Sequence, residues 1–366
     1  MNNLLDESYL QIALELAKKG KGKVSPSPLV GALLVKNDKI IGAAYRNSPS
    51  EISTEILAIK KSKENTEGAT LYTNLEPCTL STDTQDCIDF IIQSGIKKVV
   101  IGSLNPRPDY KGQSIKKLRK AGIEVKTGIL ENECIDINKF YFKYISTSLP
   151  YITLKMAITI DGKIADTSGN SKWLTSVESR CLVHELRSEY DAVMVGFKSV
   201  KIDNPELTVR LVEGRNPKRI ILDSKLQLSL ESNLVKKNLD KNLIIVTSQK
   251  NQNKKKKINA YLKRGIKILF VPEKSNGKLD LLKTLSILSE EKITSVLVEG
   301  GSKVFTSFIK QKLEDEILIF ISPKILGRGL PLCSNLGIKS LSEAINYSIK
   351  EVEKIGDDAL IKLMRR

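Results

Sequence analysis

The sequence predicts an α/β protein made of two domains. Its 366 residues are enough for two ordinary domains, each of which can bury its own core. Short apolar runs typical of strands alternate with longer amphipathic runs typical of helices along most of the chain, which indicates parallel or mixed sheets covered by helices. The stretch 131–150 changes character and ends at Pro150. We therefore expect one domain at 1–146 and a second at 147–366.

The first domain opens with an amphipathic helix in the first twenty residues. Two apolar runs within 30–45 are separated by Lys36-Asn37-Asp38-Lys39, a pattern that predicts a β-hairpin. The periodicity then predicts helices and strands in alternation: helices at 53–62, 85–94 and 113–121, and strands at 69–74, 97–102 and 123–127.

The second domain repeats this alternation without repeating the sequence. A helix at 176–189 begins at Thr175 or Ser176, either of which can cap it. The other predicted elements are strands at 151–156, 191–195, 218–223, 243–247, 267–271, 294–298 and 315–321, and helices at 278–289 and 303–310.

The net charge of +17 favours anionic partners such as phosphorylated small molecules. Aromatic residues make up only 5% of the chain and are not interleaved with basic stretches, so we expect no nucleic-acid binding by base stacking. The lysine run at 254–257 is typical of a solvated loop. Acidic residues interrupt the N-terminal helix, and no apolar run reaches membrane-spanning length, so we expect a cytoplasmic protein without membrane contact.

One group of residues is typical of half a zinc site. Zinc-dependent nucleobase deaminases use His-x-Glu followed by Pro-Cys and a second Cys, and the Glu transfers protons. Pro77-Cys78 and Cys87 match the cysteine half, and Glu55 matches the acid/base residue. Ser53 stands where the histidine belongs, and serine is a poor zinc ligand. Alternatively, the cysteines are small buried apolar residues and Glu55 is only a charge at a helix N-terminus.

Several long motifs together resemble one family, the bifunctional riboflavin-biosynthesis proteins that deaminate and then reduce a pyrimidine ribotide. The resemblance covers nearly the whole chain and rests on collinear segments: SPSPLVGALLV (25–35), GATLYTNLEPC (68–78), AGIEV (121–125), the run 150–176, LRSEYDAVMVG (186–196), DNPELTVR (203–210), VEGGS (298–302) and SPKILGRG (322–329). It implies a cytidine-deaminase-like three-layer domain followed by a dihydrofolate-reductase-like domain.

In the deaminase half, the departures from the family pattern fall on functional positions. Ser27 replaces a substrate-contacting Asn, Ser53 the zinc-binding His, and Leu80 a His that follows the first Cys. The resemblance therefore implies an incomplete zinc site at Cys78 and Cys87, doubtful zinc binding and a lost deaminase activity.

In the reductase half, nearly all matched positions are retained. The resemblance implies NADPH as cofactor, a phosphorylated pyrimidine ribotide as substrate, and proton transfer by Lys155 and Asp203 with Glu299 holding the substrate. The implied substrate contacts are Ser171, Arg187, Leu207, Arg210 and Glu299. The implied cofactor contacts are Ala157, Trp173, Ser199, Asp203, Ser224, Gly301, Ser302, Lys303, Val304, Phe305, Thr306 and Ser307.

Some of these residues also have simpler interpretations. Asp203 in Asp-Asn-Pro suits a turn, Arg187 suits a helix surface, and Trp173, the single tryptophan, suits a core position. The Gly300-Gly301 pair between a predicted strand and a predicted helix suits a phosphate-binding turn.

Two other functions stay open: a fully bifunctional enzyme with an unidentified third zinc ligand, and a noncatalytic basic protein that binds nucleotides or nucleic acid. The family further implies a homo-oligomer.

Overall fold

A computed structural model describes residues 2–77 and 86–365. The chain divides into two compact units, residues 1–148 and 149–366. The predicted division after residue 146 falls inside the last helix of the first unit, Lys139–Thr147, which ends at Ser148 in the left-handed conformation. Within the described ranges, no helix is both long and apolar enough to cross a membrane.

The first unit is built on a five-stranded sheet in the order β2-β1-β3-β4-β5, antiparallel at the hairpin side and parallel beyond β3. Its elements are α1 Asn2–Lys18, β1 Gly31–Lys36, β2 Lys39–Tyr45, α2 Thr54–Lys60, β3 Thr70–Leu75, α3 Cys87–Gln93, β4 Lys98–Ser103, α4 Gln113–Lys120, β5 Glu124–Thr127, α5 Glu131–Ile137 and α6 Lys139–Thr147.

The strands of this sheet are apolar on both faces, because each face carries a layer of helices. Ala32 and Leu34 of β1 pack in one cluster with residues of α2, α3 and α4. Leu33 and Val35 point the other way and pack with residues of α1 and α5. Successive side chains of a strand alternate between faces, so this arrangement produces three layers with a core on each side of the sheet. The implied three-layer domain is confirmed.

The second unit contains a nine-stranded sheet in the order β11-β10-β9-β8-β12-β6-β13-β16-β15. It is parallel from β11 to β13, and the hairpin β15–β16 adds antiparallel strands. Its elements are β6 Tyr151–Thr159, β7 Lys163–Ala165, α7 Val177–Glu189, β8 Ala192–Gly196, α8 Phe197–Asp203, β9 Lys218–Leu222, α9 Asn233–Lys236, β10 Leu243–Ser248, α10 Lys255–Leu262, β11 Lys267–Val271, α11 Leu281–Glu290, β12 Ser295–Val298, α12 Ser302–Gln311, β13 Glu316–Ser322, β14 Leu330–Pro331, β15 Tyr347–Ile355 and β16 Asp358–Arg365.

The central strand β6 shows how this sheet creates a functional face. Its Ile152, Leu154 and Met156 belong to the main apolar cluster of the unit. Lys155 and Ala157 point to the opposite face, where Ala157 packs near residues of α7. The side of the sheet covered by α7 therefore receives the one charged residue of this strand.

Several segments differ from the sequence expectation, among them 131–150, the lysine run and the C-terminal hairpin. The stretch 131–150 forms α5 and α6, in which Cys134 and Tyr141 are buried. The lysine run at 254–257 enters helix α10 rather than a loop, because Tyr261 four residues on is buried and anchors it. The unpredicted hairpin β15–β16 turns at Gly356, whose φ of 59° favours glycine and whose Cβ would lie 2.7 Å from Glu178 Oε2.

Candidate active site

Three charged side chains meet where two neighbouring parallel strands lie in register. Val298, the last residue of β12, pairs with Leu154, so Glu299 follows at the level of Lys155. Arg187 of α7 binds the Glu299 carboxylate with two hydrogen bonds, Nε to Oε1 at 2.7 Å and Nη2 to Oε2 at 2.8 Å. Both side chains are only 11% exposed. The sheet and α7 together create a buried, bidentate ion pair beside a lysine.

The charges of this cluster change one another's ionisation. Burial lowers the pKa of Lys155 and Arg187 lowers it further, while Glu299 opposes the shift. Burial alone would raise the pKa of Glu299, but Arg187 and Lys155 outweigh it and hold that pKa below its ordinary value. Glu299 is thus a carboxylate, and Lys155 releases its proton more readily than an exposed lysine does.

His184, which the sequence reasoning did not select, belongs to the same cluster. It is 6% exposed, and its Nδ1 accepts a hydrogen bond from the backbone N–H of Arg210 at 2.9 Å. Its Nε2 lies 3.4 Å from Arg187 Nη1, which also donates to the Thr208 carbonyl at 3.2 Å. Its spacing in the sequence could have indicated this position, because His184 and Arg187 are three residues apart and lie on one face of a helix.

The Gly300-Gly301 turn connects β12 to α12, as predicted. A Cβ on Gly300 would lie 2.7 Å from Val304 Cβ, and a Cβ on Gly301 would lie 3.2 Å from Ser199 Oγ. Gly301 is the N-cap of the ten-residue α12 and offers no side chain to its first-turn N–H groups. The turn therefore keeps the helix N-terminus open to an anion.

The remaining expected cofactor positions in α12 fall into two groups. Phe305 and Thr306 are buried, and Thr306 Oγ1 accepts the N–H of Ser334 at 2.8 Å. Val304 packs against the main apolar cluster, whereas Lys303 and Ser307 lie toward solvent. Ser302 Oγ lies 3.1 Å from Ser334 Oγ. A ligand at this helix would meet mainly backbone N–H groups, because the apolar side chains are used for packing.

Trp173 does not fill the core. It is 70% exposed, has a φ of 60°, and carries the Arg180 guanidinium 4.2 Å from its ring centroid. Lys324 Nζ donates to the Trp173 carbonyl at 2.6 Å and so holds the loop that also contains the partly buried Ser171. The core interpretation of Trp173 is wrong, because the strained loop places its ring outward.

The other expected positions lie in separate segments of the second unit. Asp203 ends α8; burial raises its pKa and Lys172 opposes that shift. Leu207 is buried with a φ of 56°, and Ser224 is partly buried, its carbonyl accepting from Asn251 Nδ2 at 2.7 Å. Coulombic interactions link Lys155 to the Arg187–Glu299 ion pair, whereas Asp203 interacts with Lys172.

In the first unit, Ser53, Glu55 and Cys87 come together around the start of α2. Ser53 Oγ donates to Glu55 Oε2 and lies 2.9 Å from Cys87 Sγ. Thr73 Oγ1 donates to the other oxygen of Glu55 at 3.0 Å, and Glu55 is buried. The predicted juxtaposition is present, with a hydroxyl in place of an imidazole.

Of the expected zinc ligands, the described residues supply only the thiol of Cys87, and serine is a poor zinc ligand. Ser53 supplies a hydroxyl that hydrogen-bonds to its neighbours, and Glu55 has both oxygens in hydrogen bonds. Across residues 2–77 and 86–365, no cluster of three His, Cys, Asp or Glu side chains suitable for a metal ion is present. Cys78 and Leu80 lie outside the described residues.

Each of the two domains matches a known protein family. Residues 4–103 match the cytidine and deoxycytidylate deaminase zinc-binding region, and residues 150–361 match the RibD C-terminal domain. The riboflavin biosynthesis protein RibD of Aquifex aeolicus is 42% identical over 362 residues, covering 99% of both chains. That of Escherichia coli is 32% identical, covering 98% of this chain and 99% of its own.

A solved structure matches this chain over both domains. The diaminohydroxyphosphoribosylaminopyrimidine deaminase/5-amino-6-(5-phosphoribosylamino)uracil reductase of Thermotoga maritima superposes with a TM-score of 0.88 at 37% identity, covering 100% of both chains. The fold and the sites thus define a two-domain biosynthetic enzyme with a deaminase-like domain and a reductase domain. The chain belongs to the RibD family of riboflavin biosynthesis.

Proposed function

We propose that this protein uses NADPH to reduce the ribosyl group of 5-amino-6-(5-phosphoribosylamino)uracil to a ribityl chain. The observation that carries the proposal is the buried group of Lys155, Arg187 and Glu299. Glu299 directly precedes the Gly300-Gly301 turn at the start of α12. This arrangement combines a proton donor, a fixed pair of charges and an anion-binding helix end. The relative from Thermotoga maritima carries this substrate in its name.

The residues present fit a dinucleotide phosphate. Gly300 and Gly301 leave the N-terminus of α12 uncovered, and side chains there would collide with Val304 or approach Ser199. Anions are stabilised at such a helix end by unpaired N–H groups and the helix dipole. Ser199, Gly301, Ser302 and the first-turn backbone would hold the cofactor, which supplies a hydride when bound.

The chain's own side chains would manage protons and orientation. Opening the ribosyl ring breaks the bond between C1′ and the ring oxygen, adds a proton to that oxygen and removes the proton of the glycosidic nitrogen, which leaves an imine at C1′. Reduction of the imine then adds a hydride to C1′ and a proton to the nitrogen. Lys155 has the lowered pKa that suits it to deliver that proton. Glu299 would hold the sugar hydroxyls while paired to Arg187, and Arg210 would bind the phosphate.

The test is a turnover assay with NADPH and the uracil ribotide, followed by loss of NADPH and by identification of the ribityl product. We expect saturable oxidation with this substrate and none without it. A protein that neither binds nor oxidises NADPH in the presence of the uracil ribotide contradicts the proposal and favours the noncatalytic alternative.

We further propose that the deaminase-like domain does not deaminate. What supports this is the contact of Ser53 with both Glu55 and Cys87, which puts a poor ligand at the position of a zinc-binding histidine. Ser27 and Leu80 remove further family contacts. Metal analysis of the purified full-length protein should find far less than one zinc per chain, whereas stoichiometric zinc together with a deaminated product overturns the proposal.

A further inference from the structure

The segment from Asn204 to Arg210 has a conformation that its own sequence does not favour. Asn204 and Leu207 both have positive φ, 40° and 56°, although neither is glycine. Such residues keep these angles only where surrounding contacts hold them. Burial of Leu207 and the hydrogen bonds between Asn204 and Asn233 hold the first part of the segment.

Two side chains of α7 hold the second part. His184 accepts the backbone N–H of Arg210 at 2.9 Å, and Arg187 donates to the Thr208 carbonyl at 3.2 Å. Arg187 simultaneously binds Glu299. Helix α7 thus connects the segment to the charged cluster at the end of β12.

The guanidinium of Arg210 extends from this fixed backbone toward solvent. It is 47% exposed and bonds to Thr208 Oγ1 at 2.7 Å and to Glu206 at 3.2 Å. Both contacts come from its own segment. The position of this guanidinium relative to Lys155 and Glu299 is therefore determined by where the backbone of residue 210 is held.

We propose that His184 is a positioning residue for substrate: its neutral imidazole accepts the Arg210 N–H and thereby places the Arg210 guanidinium to bind the phosphate of the pyrimidine ribotide. This inference rests on the proposed reductase function. His184 touches no reacting atom and acts through Arg210.

The electrostatic surroundings keep this imidazole uncharged. Burial lowers the pKa of His184 to about 4, and Arg187 on its own helix and Arg210 on the facing segment act in the same direction, with Glu299 opposing. A hydrogen bond accepted at Nδ1 requires that nitrogen to carry no proton, so the neutral ring is protonated at Nε2. The 3.4 Å approach of Arg187 Nη1 to Nε2 is then not a hydrogen bond.

The experiment compares H184L, which lacks the acceptor, with H184N, which retains an acceptor near the Nδ1 position, and with E185Q as an exposed control on the same helix. Calorimetric titration of the intact protein with the uracil ribotide gives Kd, and steady-state kinetics give kcat and both KM values. We expect H184L to weaken ribotide binding about tenfold, with NADPH KM within about twofold of wild type, and H184N to recover most of the loss. Equal binding by H184L and wild type, or equal loss in H184L and H184N, overturns the proposal.

The single histidine gives a second readout that survives if H184L does not fold. Nitrogen NMR of histidine-labelled wild-type protein at neutral pH should show an unprotonated Nδ1 and a protonated Nε2. A charged ring or the opposite tautomer contradicts the inference. If the protein binds the ribotide but does not oxidise NADPH, only the proposed reductase function is contradicted. This outcome distinguishes failure of the reductase function from failure of the role proposed for His184.

Discussion

The two domains place their sites in comparable ways but fill them with different chemistry. In the first, Ser53 and Glu55 begin α2 beside Cys87 at the start of α3. In the second, Glu299 and the Gly300-Gly301 turn precede α12. The second site keeps Arg187 and Glu299 in a bidentate ion pair that interacts electrostatically with Lys155. In the first site, a serine hydroxyl stands at the position of the expected metal ligand.

The comparison teaches that the scaffold and the chemistry of a site have separate physical origins. Both sheets are held by apolar clusters on their two faces, and neither Ser53 nor Lys155 belongs to these clusters, although Cys87 does. A domain can therefore carry serine instead of a zinc-binding histidine at position 53 and keep its core.

The largest effect should come from Lys155, the proposed proton donor. K155M should lower kcat of the reductase about a thousandfold, because general acid catalysis is lost while the strand remains apolar and packed. K263M, on an exposed residue after α10, is the matched control. A K155M enzyme with near wild-type kcat would remove Lys155 from the mechanism.

The lowered pKa of Lys155 also predicts how kcat depends on pH. Since burial lowers its pKa, kcat should fall as pH rises through a value below the ordinary lysine pKa of about 10.4. The alkaline limb should therefore begin earlier than for an exposed lysine. A pH–kcat profile that stays flat to the ordinary lysine range would contradict the assignment.

A smaller effect is expected from breaking the buried pair. E299Q leaves the Arg187 charge without its carboxylate and should destabilise the protein by about 3 kcal/mol, measured as a lowered unfolding midpoint. E273Q removes the partner of Lys250, whose side chain is 80% exposed, and should lower the unfolding midpoint far less. Equal losses in the two variants would show that burial of the pair has no energetic consequence.

A substitution in the Gly300-Gly301 turn should have a smaller effect, seen in the KM for NADPH. G300A places a methyl group against Val304 and should raise the NADPH KM about tenfold, because the helix end must shift away from the phosphate. Adding V304A removes the obstructing atoms, so the double variant should recover most of the affinity. If V304A brings no recovery, close packing is not the reason for glycine at this position.

The smallest effect concerns the first site. S53H restores only one of the departures from the family pattern, since Ser27 and Leu80 remain, and should produce no measurable deamination of the pyrimidine ribotide. The reductase kcat of the same variant serves as the internal control. Deamination by S53H alone would show that the histidine was the single missing part.

Much of the architecture could be predicted from the sequence, because strands such as β6 and β8 are apolar runs of ordinary length bounded by turns. The hairpin β15–β16 was missed because β15 is largely exposed, so its residues lack a clear apolar face. Neither the contact between His184 and Arg210 nor the outward position of Trp173 could be predicted, since each depends on backbone placement far along the chain.

We expect the second domain to reduce the uracil ribotide and the first domain not to deaminate its precursor. The most direct test incubates the full-length protein with NADPH and, in parallel, with the uracil ribotide or with its undeaminated diaminopyrimidine precursor, and measures bound zinc in the same sample. The account predicts NADPH oxidation and ribityl product from the uracil ribotide only, with little zinc. Deaminated product from the precursor, together with one zinc per chain, would contradict it.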